Sequence, residues 1–370
     1  MNKEKLITRI KNSHEFISVL SSIFAILIGI IFGFVLLVVL KPESSLYGIT
    51  NMLTTGFSSI EKLGKVFYIA MPLIMTGLAV AFAFKTGLFN IGAPGQYLVG
   101  GFFALYVAIV FNAPWWIALF ASIIGGALWG AIPGIFKAIL NVNEVITSIM
   151  LNWIGLYLVN VCIANTEVML NSYYGGSSER TVLLSIANPS AILPKIGLDK
   201  IFSGSNLVSI GIFVAIIIAI ISFVILEKTI FGYELKACGY NKHASRYAGI
   251  NEKRNIIISM AIAGGLAGIG GGLYYLNGGA VFTLGNVLPA TGFNGIPVAL
   301  LASSNPIGVI FSALFVSYIQ VGGDAMQPEY SPEAITIIIS VIIYLSAFSL
   351  VIRKLILNLF KNSKNKEVVK

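Results

Sequence analysis

The sequence is poor in charged residues and in the side chains that carry covalent or metal chemistry. Only 11% of its 370 residues are charged, whereas an average soluble domain has about 25%. The two cysteines, Cys162 and Cys238, and the two histidines, His14 and His243, match no disulfide or metal-site spacing. These shortages argue against a soluble enzyme, a disulfide-rich domain and a histidine-based metal site, and no metal is expected.

Apolar runs long enough to cross a membrane make up most of the chain. Hydrophobic residues are 57% of the sequence, the mean hydropathy is +0.89, and residues 16–40 contain no charge. Since about 20 apolar residues in a helix cover the hydrocarbon core of a bilayer, the sequence predicts an all-α integral membrane protein. Ten crossings are predicted, at residues 16–40, 66–84, 97–111, 115–136, 145–163, 207–226, 256–276, 288–303, 306–320 and 334–352. The third, eighth and ninth are short and are expected to be tilted, broken or re-entrant.

The distribution of Lys and Arg predicts the orientation in a cell membrane. With the N-terminus inside, 18 of the 24 basic residues fall on the cytoplasmic side, while the acidic residues divide almost evenly. Both termini are therefore expected in the cytoplasm, and the net charge of +9 reflects topology rather than nucleic-acid binding. The predicted parts are a cytoplasmic tail (1–15), a transmembrane domain (16–352) with an extracytoplasmic loop (164–206) and a cytoplasmic loop (227–255), and a basic cytoplasmic tail (353–370).

Two blocks of the sequence suggest an internal symmetry. Residues 66–163 and 256–352 each contain four predicted crossings and would enter the membrane from opposite sides. Inverted repeats with broken helices at their interface are a common transporter design. Only Phe89–Gly92 and Phe293–Gly295 correspond between the blocks, so the repeat stays undecided at this point.

Two segments place amide side chains beside helix-breaking residues. Asn90 and Gln96 lie in the Gly- and Pro-rich segment 85–96, and Asn294 lies in the similar segment 291–297. Irregular backbone at membrane depth is tolerated only where protein or a water-filled cavity covers it, so both segments are candidates for lining a translocation path. The alternatives are a cytoplasmic turn for the first segment and an ordinary interhelical hydrogen bond for the second.

The segment 141–153 opens the fifth predicted crossing. Asn143 has the position of a helix N-cap, and Glu144 would lie in the first turn, where the helix dipole favours an acidic residue. That structural role is sufficient for both. Asn152 lies two turns further along the same helix and is the better candidate for facing a pore.

Glycines recur on two of the predicted crossings, at residues 125–134 and 263–272. Such small-residue faces let helix backbones approach closely, and packing is their expected role. The glycine run at 268–272 has no strand–turn–helix context, so it is not a dinucleotide-binding fingerprint.

The predicted cytoplasmic loop 227–255 contains a short amphipathic segment. Residues 241–248 are expected to form a helix that Gly249 stops. A basic helix of this kind can lie on anionic lipid. Docking to a cytoplasmic partner is the sharper interpretation, because Tyr240 and Tyr247 would be exposed without a purpose on a plain connector.

An energy source is missing from the sequence. No G-x-x-x-x-G-K-[ST] segment occurs, because Leu63–Lys65 lacks the upstream glycine and Val66 replaces the hydroxyl residue. No charged pair lies deep in a predicted crossing, as proton or sodium coupling would require. If the protein moves a solute uphill, the energy is expected to come from another subunit.

Four segments together give the chain a resemblance to a known family. The chain resembles the membrane permease subunit of ATP-binding-cassette (ABC) importers, in the branch that includes ribose, branched-chain amino acid and nucleoside permeases. Pro94 departs from the family, which more often has an acidic residue there, and this weakens any assignment of a substrate-binding charge. The matching segments are 87–96, 143–152, which is similar to the nucleoside (guanosine) type, 292–301 with 305–308, and the coupling-helix segment 235–250.

The resemblance implies a transport subunit that is not itself an enzyme. Two permeases, identical or paralogous, would form a pathway, an extracytoplasmic binding protein would deliver substrate, and two cytoplasmic ATPases would drive transport. No cofactor is expected in this chain, since ATP and Mg would be bound by the ATPases. We assign the substrate pathway to Asn90, Gln96, Asn152, Phe293 and Asn294. The implied ATPase contacts are Gly239, Asn241, Lys242, Ala244, Arg246, Tyr247, Gly249 and Ile250.

Nucleoside import is the first hypothesis, and three rivals remain. A simple sugar such as ribose would use the same machinery, and only the segment 143–152 argues against it. A stand-alone secondary transporter or channel would need a coupling-ion site, which the sequence does not show. An intramembrane enzyme would need paired carboxylates, a metal site or an activated nucleophile within the crossings.

Overall fold

Helices form almost all regular structure of the chain in a computed structural model, which describes residues 14–202, 206–327, 329–346, 348, 351–352 and 354. No β-strand occurs among these residues, where two isolated bridges join Leu170 to Thr181 and Arg180 to Thr283. The predicted all-α class is therefore confirmed. The predicted cytoplasmic tails, 1–15 and 353–370, lie outside the described residues except for 14, 15 and 354.

Fifteen α-helices occur in the described part of the chain. In order they are α1 (His14–Leu40), α2 (Ser45–Ser58), α3 (Ile60–Lys85), α4 (Ala93–Val110), α5 (Trp115–Leu140), α6 (Glu144–Ala164), α7 (Leu184–Ala187), α8 (Leu198–Ile201), α9 (Gly211–Lys228), α10 (Ile230–Tyr240), α11 (Lys242–Tyr247), α12 (Glu252–Leu276), α13 (Ala290–Leu301), α14 (Pro306–Asp324) and α15 (Pro332–Ser346).

The long helices agree with a protein that crosses a membrane many times. Eight of the described helices are long and apolar enough to span a bilayer, namely α1, α3, α4, α5, α6, α9, α12 and α14. Two shorter apolar helices, α13 and α15, occupy the remaining predicted crossings. The prediction of about ten membrane helices is confirmed, although α2 was not predicted and α14 is not short. Each block of the suspected repeat contains four helices, but their inverted relation stays a prediction.

Local capping determines where α5 ends and α6 begins. Asn141 adopts a left-handed conformation (φ 53°) and ends α5, because Asn tolerates this region better than most side chains. The Oδ1 of Asn143 accepts a hydrogen bond from the N–H of Val145 at 2.8 Å, which confirms the predicted N-cap of α6. Glu144 then pairs with Lys137 across the turn at 2.8 Å.

The described residues divide into two compact units. The first unit contains residues up to 56, 300–303 and those from 318 onward. Within it α1 packs on α15, and a Cβ added at Gly33 would lie 2.6 Å from Cδ1 of Ile342. Lys41 Nζ donates a hydrogen bond to the carbonyl oxygen of Glu329 at 2.8 Å and ties the end of α1 to the α14–α15 connection.

The second unit contains residues 57–299 and 304–317, and α12 is its central helix. The glycine face of α12 meets the glycine face of α5 directly. A Cβ added at Gly130 would lie 2.5 Å from the carbonyl oxygen of Met260 and 2.7 Å from Cα of Gly264. The predicted packing role of these glycines is confirmed, since only their lack of side chains allows such close contact.

The predicted extracytoplasmic loop, described at residues 164–202 and 206, belongs to the second unit and packs on its helices. It contains the short helices α7 and α8 and several 3-10 turns. Asn188 is buried, and its Nδ2 donates hydrogen bonds to the carbonyl oxygen of Ala108 in the last turn of α4 (2.8 Å) and to that of Ala113 beyond it (3.0 Å). The backbone of Thr181 pairs with Phe282, so this loop and the α12–α13 connection lie at the same end of the helices.

The α5–α12 contact makes a prediction about stability. Gly264→Ala should destabilise the protein by about 1–3 kcal/mol, as overpacking typically does, because its Cβ would lie 2.8 Å from Cα of Gly130. Gly265→Ala is the matched control on the same helix, since its Cβ would find its nearest neighbour, Cγ2 of Ile123, at 3.5 Å. Thermal unfolding in lipid nanodiscs measures both. Equal melting temperatures of the two variants would contradict the described contact.

Candidate functional site

A tight turn, rather than a break within one helix, separates α3 from α4. Helix α3 ends at Lys85, Gly87 has a positive φ (74°), and α4 starts at Ala93 followed by Pro94. Proline suits this place because its missing N–H is not needed in the first helical turn. The turn is largely enclosed by protein, and Leu88 within it is buried. The segment 85–96 therefore takes the turn conformation that its sequence left open.

The two amides of this segment bind each other. Asn90 Nδ2 donates to Gln96 Oε1 at 2.8 Å, and Gln96 Nε2 donates to Asn90 Oδ1 at 3.1 Å. Asn90 Oδ1 also accepts the backbone N–H of Gly92 at 3.1 Å. Both side chains are almost completely buried, so the reciprocal pair offsets the cost of removing their polar atoms from water.

Asn152 of α6 joins the same cluster from the side. Its Oδ1 accepts the backbone N–H of Gly95 at 2.9 Å, and its Nδ2 donates to the carbonyl oxygen of Ile91 at 3.0 Å. The side chain is 2% exposed. Asn152 thus satisfies two backbone groups that the turn leaves without helical partners, and it fastens α4 to α6.

Ser148 lies one helical turn before Asn152 and faces the same cluster. Its Oγ is buried and has no hydrogen-bond partner among the described residues. A Cβ added at Gly92 would lie 3.2 Å from this Oγ and 3.0 Å from Gln96 Nε2. We refer to Asn90, Gln96, Asn152 and Ser148 together as the amide cluster.

The other two predicted pathway residues are placed differently. Phe293 of α13 is 39% exposed, and Asn294 is half-buried. Their neighbour Gly292 packs on Pro94, where a Cβ would lie 2.7 Å from the proline nitrogen. Asn90, Gln96 and Asn152 are therefore enclosed and bonded within the second unit in this structure, whereas Phe293 and Asn294 reach its surface. The role of all five in a pathway stays a prediction.

The predicted docking loop has the expected helix. Asn241 Oδ1 accepts the backbone N–H groups of His243 and Ala244, both at 3.0 Å, and so caps α11. The helix ends before Gly249, whose φ is positive (81°). The expectation of a short helix stopped by this glycine is confirmed.

The surface of α11 and its flanks is open. Tyr240 and Tyr247 are 90% and 94% exposed, and Arg246 is also exposed. Nζ of Lys242 lies 4.0 Å from Oε1 of Glu252 at the start of α12. Gly239, one of the ATPase contacts predicted from the sequence, lies in the last turn of α10. The other predicted contacts lie together on α11 and its two flanks: Asn241, Lys242, Ala244, Arg246, Tyr247, Gly249 and Ile250. Their contact with an ATPase stays a prediction.

Sequence reasoning missed two polar links beneath the docking loop. The hydroxyls of Thr86 and Ser259 lie 2.6 Å apart and are buried. Asn255 Nδ2 donates to Glu234 Oε2 at 3.1 Å and joins α12 to α10. Isolated polar residues near the ends of apolar runs were the available signal, but only tertiary contact pairs them.

The comparisons with known proteins agree with these elements. A family model for the permease component of branched-chain amino acid transport systems matches residues 62–347. The guanosine ABC transporter permease protein NupP of Bacillus subtilis (strain 168) is 36% identical over 347 residues, which cover 92% of this chain and 96% of NupP. The nucleoside ABC transporter permease protein NupB of Lactococcus lactis subsp. cremoris (strain MG1363) is 36% identical over 88% of this chain and 91% of NupB.

A relative with lower identity is named for a different cargo. A glucose ABC transporter permease protein of Haloferax volcanii is 29% identical over 87% of this chain and 85% of its own length. No solved structure matches the chain.

Cysteine accessibility tests which amides can contact water. In protein purified into lipid nanodiscs, which leave both faces open to the reagent, and with both native cysteines replaced by serine, Phe293→Cys and Asn294→Cys should react with a charged thiosulfonate. Asn90→Cys and Asn152→Cys should stay unmodified, because the native side chains at these positions are buried. Mass spectrometry of the labelled protein measures the modified fraction.

Two further positions serve as controls for this labelling. Tyr247→Cys, on the open docking loop, should react at once. Ile217→Cys, on an exposed apolar face of α9, should not react, because a thiol in hydrocarbon does not form the reactive thiolate. Modification of Asn152→Cys as fast as Asn294→Cys would show that the amide cluster opens to water.

Proposed function

The chain belongs to the family of permease components of branched-chain amino acid transport systems, and we propose that it forms the membrane pathway of an ABC importer for nucleosides. The observation that carries the proposal is the 36% identity with a guanosine permease over nearly the full length of both proteins. A set of membrane-spanning apolar helices and a capped, exposed short helix, α11, in the predicted cytoplasmic loop are consistent with it.

The proposed cargo is a purine or pyrimidine nucleoside. Phe293 presents an exposed aromatic ring that can stack on a base, and Asn294 beside it can exchange hydrogen bonds with base or ribose. Such contacts are individually weak, which suits a pathway that must release its cargo. Specificity would then belong mainly to a separate extracytoplasmic binding protein.

The buried amides take a supporting role in this proposal. Asn90, Gln96 and Asn152 hold the start of α4 in place, and α4 in turn supports α13 through the contact of Pro94 with Gly292. Direct contact with the cargo is proposed for Phe293 and Asn294 only.

The proposed partners supply what this chain's sequence lacks. Two cytoplasmic ATPases bind ATP and Mg and dock on α11 and the end of α10, where Tyr240, Arg246 and Tyr247 are exposed. A second permease, identical or paralogous, completes the pathway, and the binding protein docks on the side of loop 164–206. The N- and C-termini lie in the cytoplasm, because this orientation puts most Lys and Arg residues inside.

Uptake of radiolabelled guanosine, adenosine, uridine and ribose tests the proposal. Cells without endogenous uptake would express the chain with and without its candidate ATPase, second permease and binding protein. Nucleoside uptake that requires the ATPase is the expected result. Uptake of ribose alone would favour the simple-sugar alternative, and uptake by this chain alone would indicate a secondary carrier or channel.

Charge reversal on α11 tests the docking interface. The double variant Lys242→Glu and Arg246→Glu should lower ATP-dependent uptake about tenfold or more, since a docking loss of about 1.4 kcal/mol is already a factor of ten. Lys253→Glu with Arg254→Glu is the control, because it makes the same charge change on exposed side chains at the start of α12. Co-purification of the ATPase reports docking directly. Unchanged uptake and co-purification in the α11 variant would rule out this interface.

A further inference from the structure

The turn between α3 and α4 touches the docking loop on one side. A Cβ added at Gly239, in the last turn of α10, would lie 2.5 Å from the carbonyl oxygen of Lys85 and 2.9 Å from the nitrogen of Gly87. The two backbones therefore meet with no side chain between them. Only Asn241 separates α10 from α11, so a displacement of α11 also moves Gly239. The contact of Gly239 with the turn involves backbone atoms only, and no flexible side chain can adjust to take up the movement.

The amide cluster makes the turn and the start of α4 one body. Asn90 and Gln96 bond each other across the turn through two hydrogen bonds. Asn152 holds the carbonyl of Ile91, before α4, and the N–H of Gly95, within α4. A push on the turn therefore moves the start of α4 instead of bending the connection.

The start of α4 supports α13 on its other side. Gly292 lies against Pro94, and a Cβ added at Gly292 would lie 2.7 Å from the nitrogen of Pro94. Thr76 of α3 adds a second support, because its Oγ1 donates to the carbonyl oxygen of Thr291 at 3.1 Å. Phe293, which is exposed, and Asn294, which is half-buried, directly follow this contact.

We propose that these contacts form the mechanical link between ATPase docking and the cargo face of α13. The link runs from Gly239 through the turn 86–92 and Pro94 to Gly292, and Gly239 and Asn152 are its positioning residues. Asn152 therefore acts on the cargo through α4 and α13 and not by touching it. The role of this link in transport rests on the proposed function. The contacts themselves lie within the second unit and can be tested without transport.

Hydrogen exchange tests the link without reference to transport. In the full chain in lipid nanodiscs, Asn152→Ala should speed amide exchange both at residues 86–96 and at 290–297. The control is Asn188→Ala at the opposite end of the helices, which removes two hydrogen bonds to the backbone carbonyls of Ala108 and Ala113 and two more from Ser190. It should change exchange near residues 108–113 and leave 290–297 unaltered.

A second variant approaches the link from the docking side and covers the case in which Asn152→Ala does not fold. Gly239→Ala places a methyl group against Lys85 and should alter exchange at 86–96 and at 290–297. If exchange changes stay within residues 230–250 for Gly239→Ala, or within 86–96 for Asn152→Ala, the link does not exist.

The coupling ratio tests the consequence in the reconstituted transporter with its ATPase, second permease and binding protein. Guanosine moved per ATP hydrolysed should fall about tenfold in Asn152→Ala and Gly239→Ala, which is within the usual range of coupling between sites. Asn188→Ala should keep the wild-type ratio at a similar loss of thermal stability. An unchanged ratio in both link variants, or an equal fall in Asn188→Ala, would overturn the inference. Absence of guanosine, adenosine and uridine transport by the wild type would instead refute the proposed function, and hydrogen exchange would still decide the link.

Discussion

Direct backbone contact between α12 and α5 is the constraint on which the second unit depends. Where Gly264 faces Gly130, no side chain separates the two helices, so the main chain itself determines how closely they cross. In a membrane, where apolar lipid competes equally for apolar side chains, such close packing is a principal source of helix association. Because helices at this distance cannot slide without collision, movement in this unit must involve whole helices and the turns between them.

Most of the buried polar side chains of the second unit are hydrogen-bonded, because burying them without a partner would cost free energy. The three amides of the amide cluster show the principle, because Asn90, Gln96 and Asn152 bond to each other or to the backbone. Buried hydrogen bonds of this kind favour one shape for the α3–α4 turn. The same amide chemistry that would suit a hydrophilic path therefore serves here to fix irregular backbone.

Local signals allowed most of the fold to be predicted, and tertiary contacts explain what was missed. Apolar run length located the crossings, and the cap at Asn143 followed from residue type. Asn241 was predicted as the first residue of its helix, and the structure makes it the N-cap. The burial of Asn152 could not be predicted, because the sequence does not show that the start of α4 packs against this side of α6. The contact of Gly239 with the end of α3 was hidden for the same reason, since a glycine on a loop usually indicates only a turn.

The length of α13 has a consequence for solvent at the membrane. Its 12 residues rise about 18 Å, which is well short of a hydrocarbon core of about 30 Å. The irregular connection 277–289 must then make up part of the crossing or stand above a locally thinner bilayer. Lipid tails cannot border such backbone, so protein or water must surround it. We therefore expect a hydrated vestibule that opens beside Phe293 on the side of the loop 164–206.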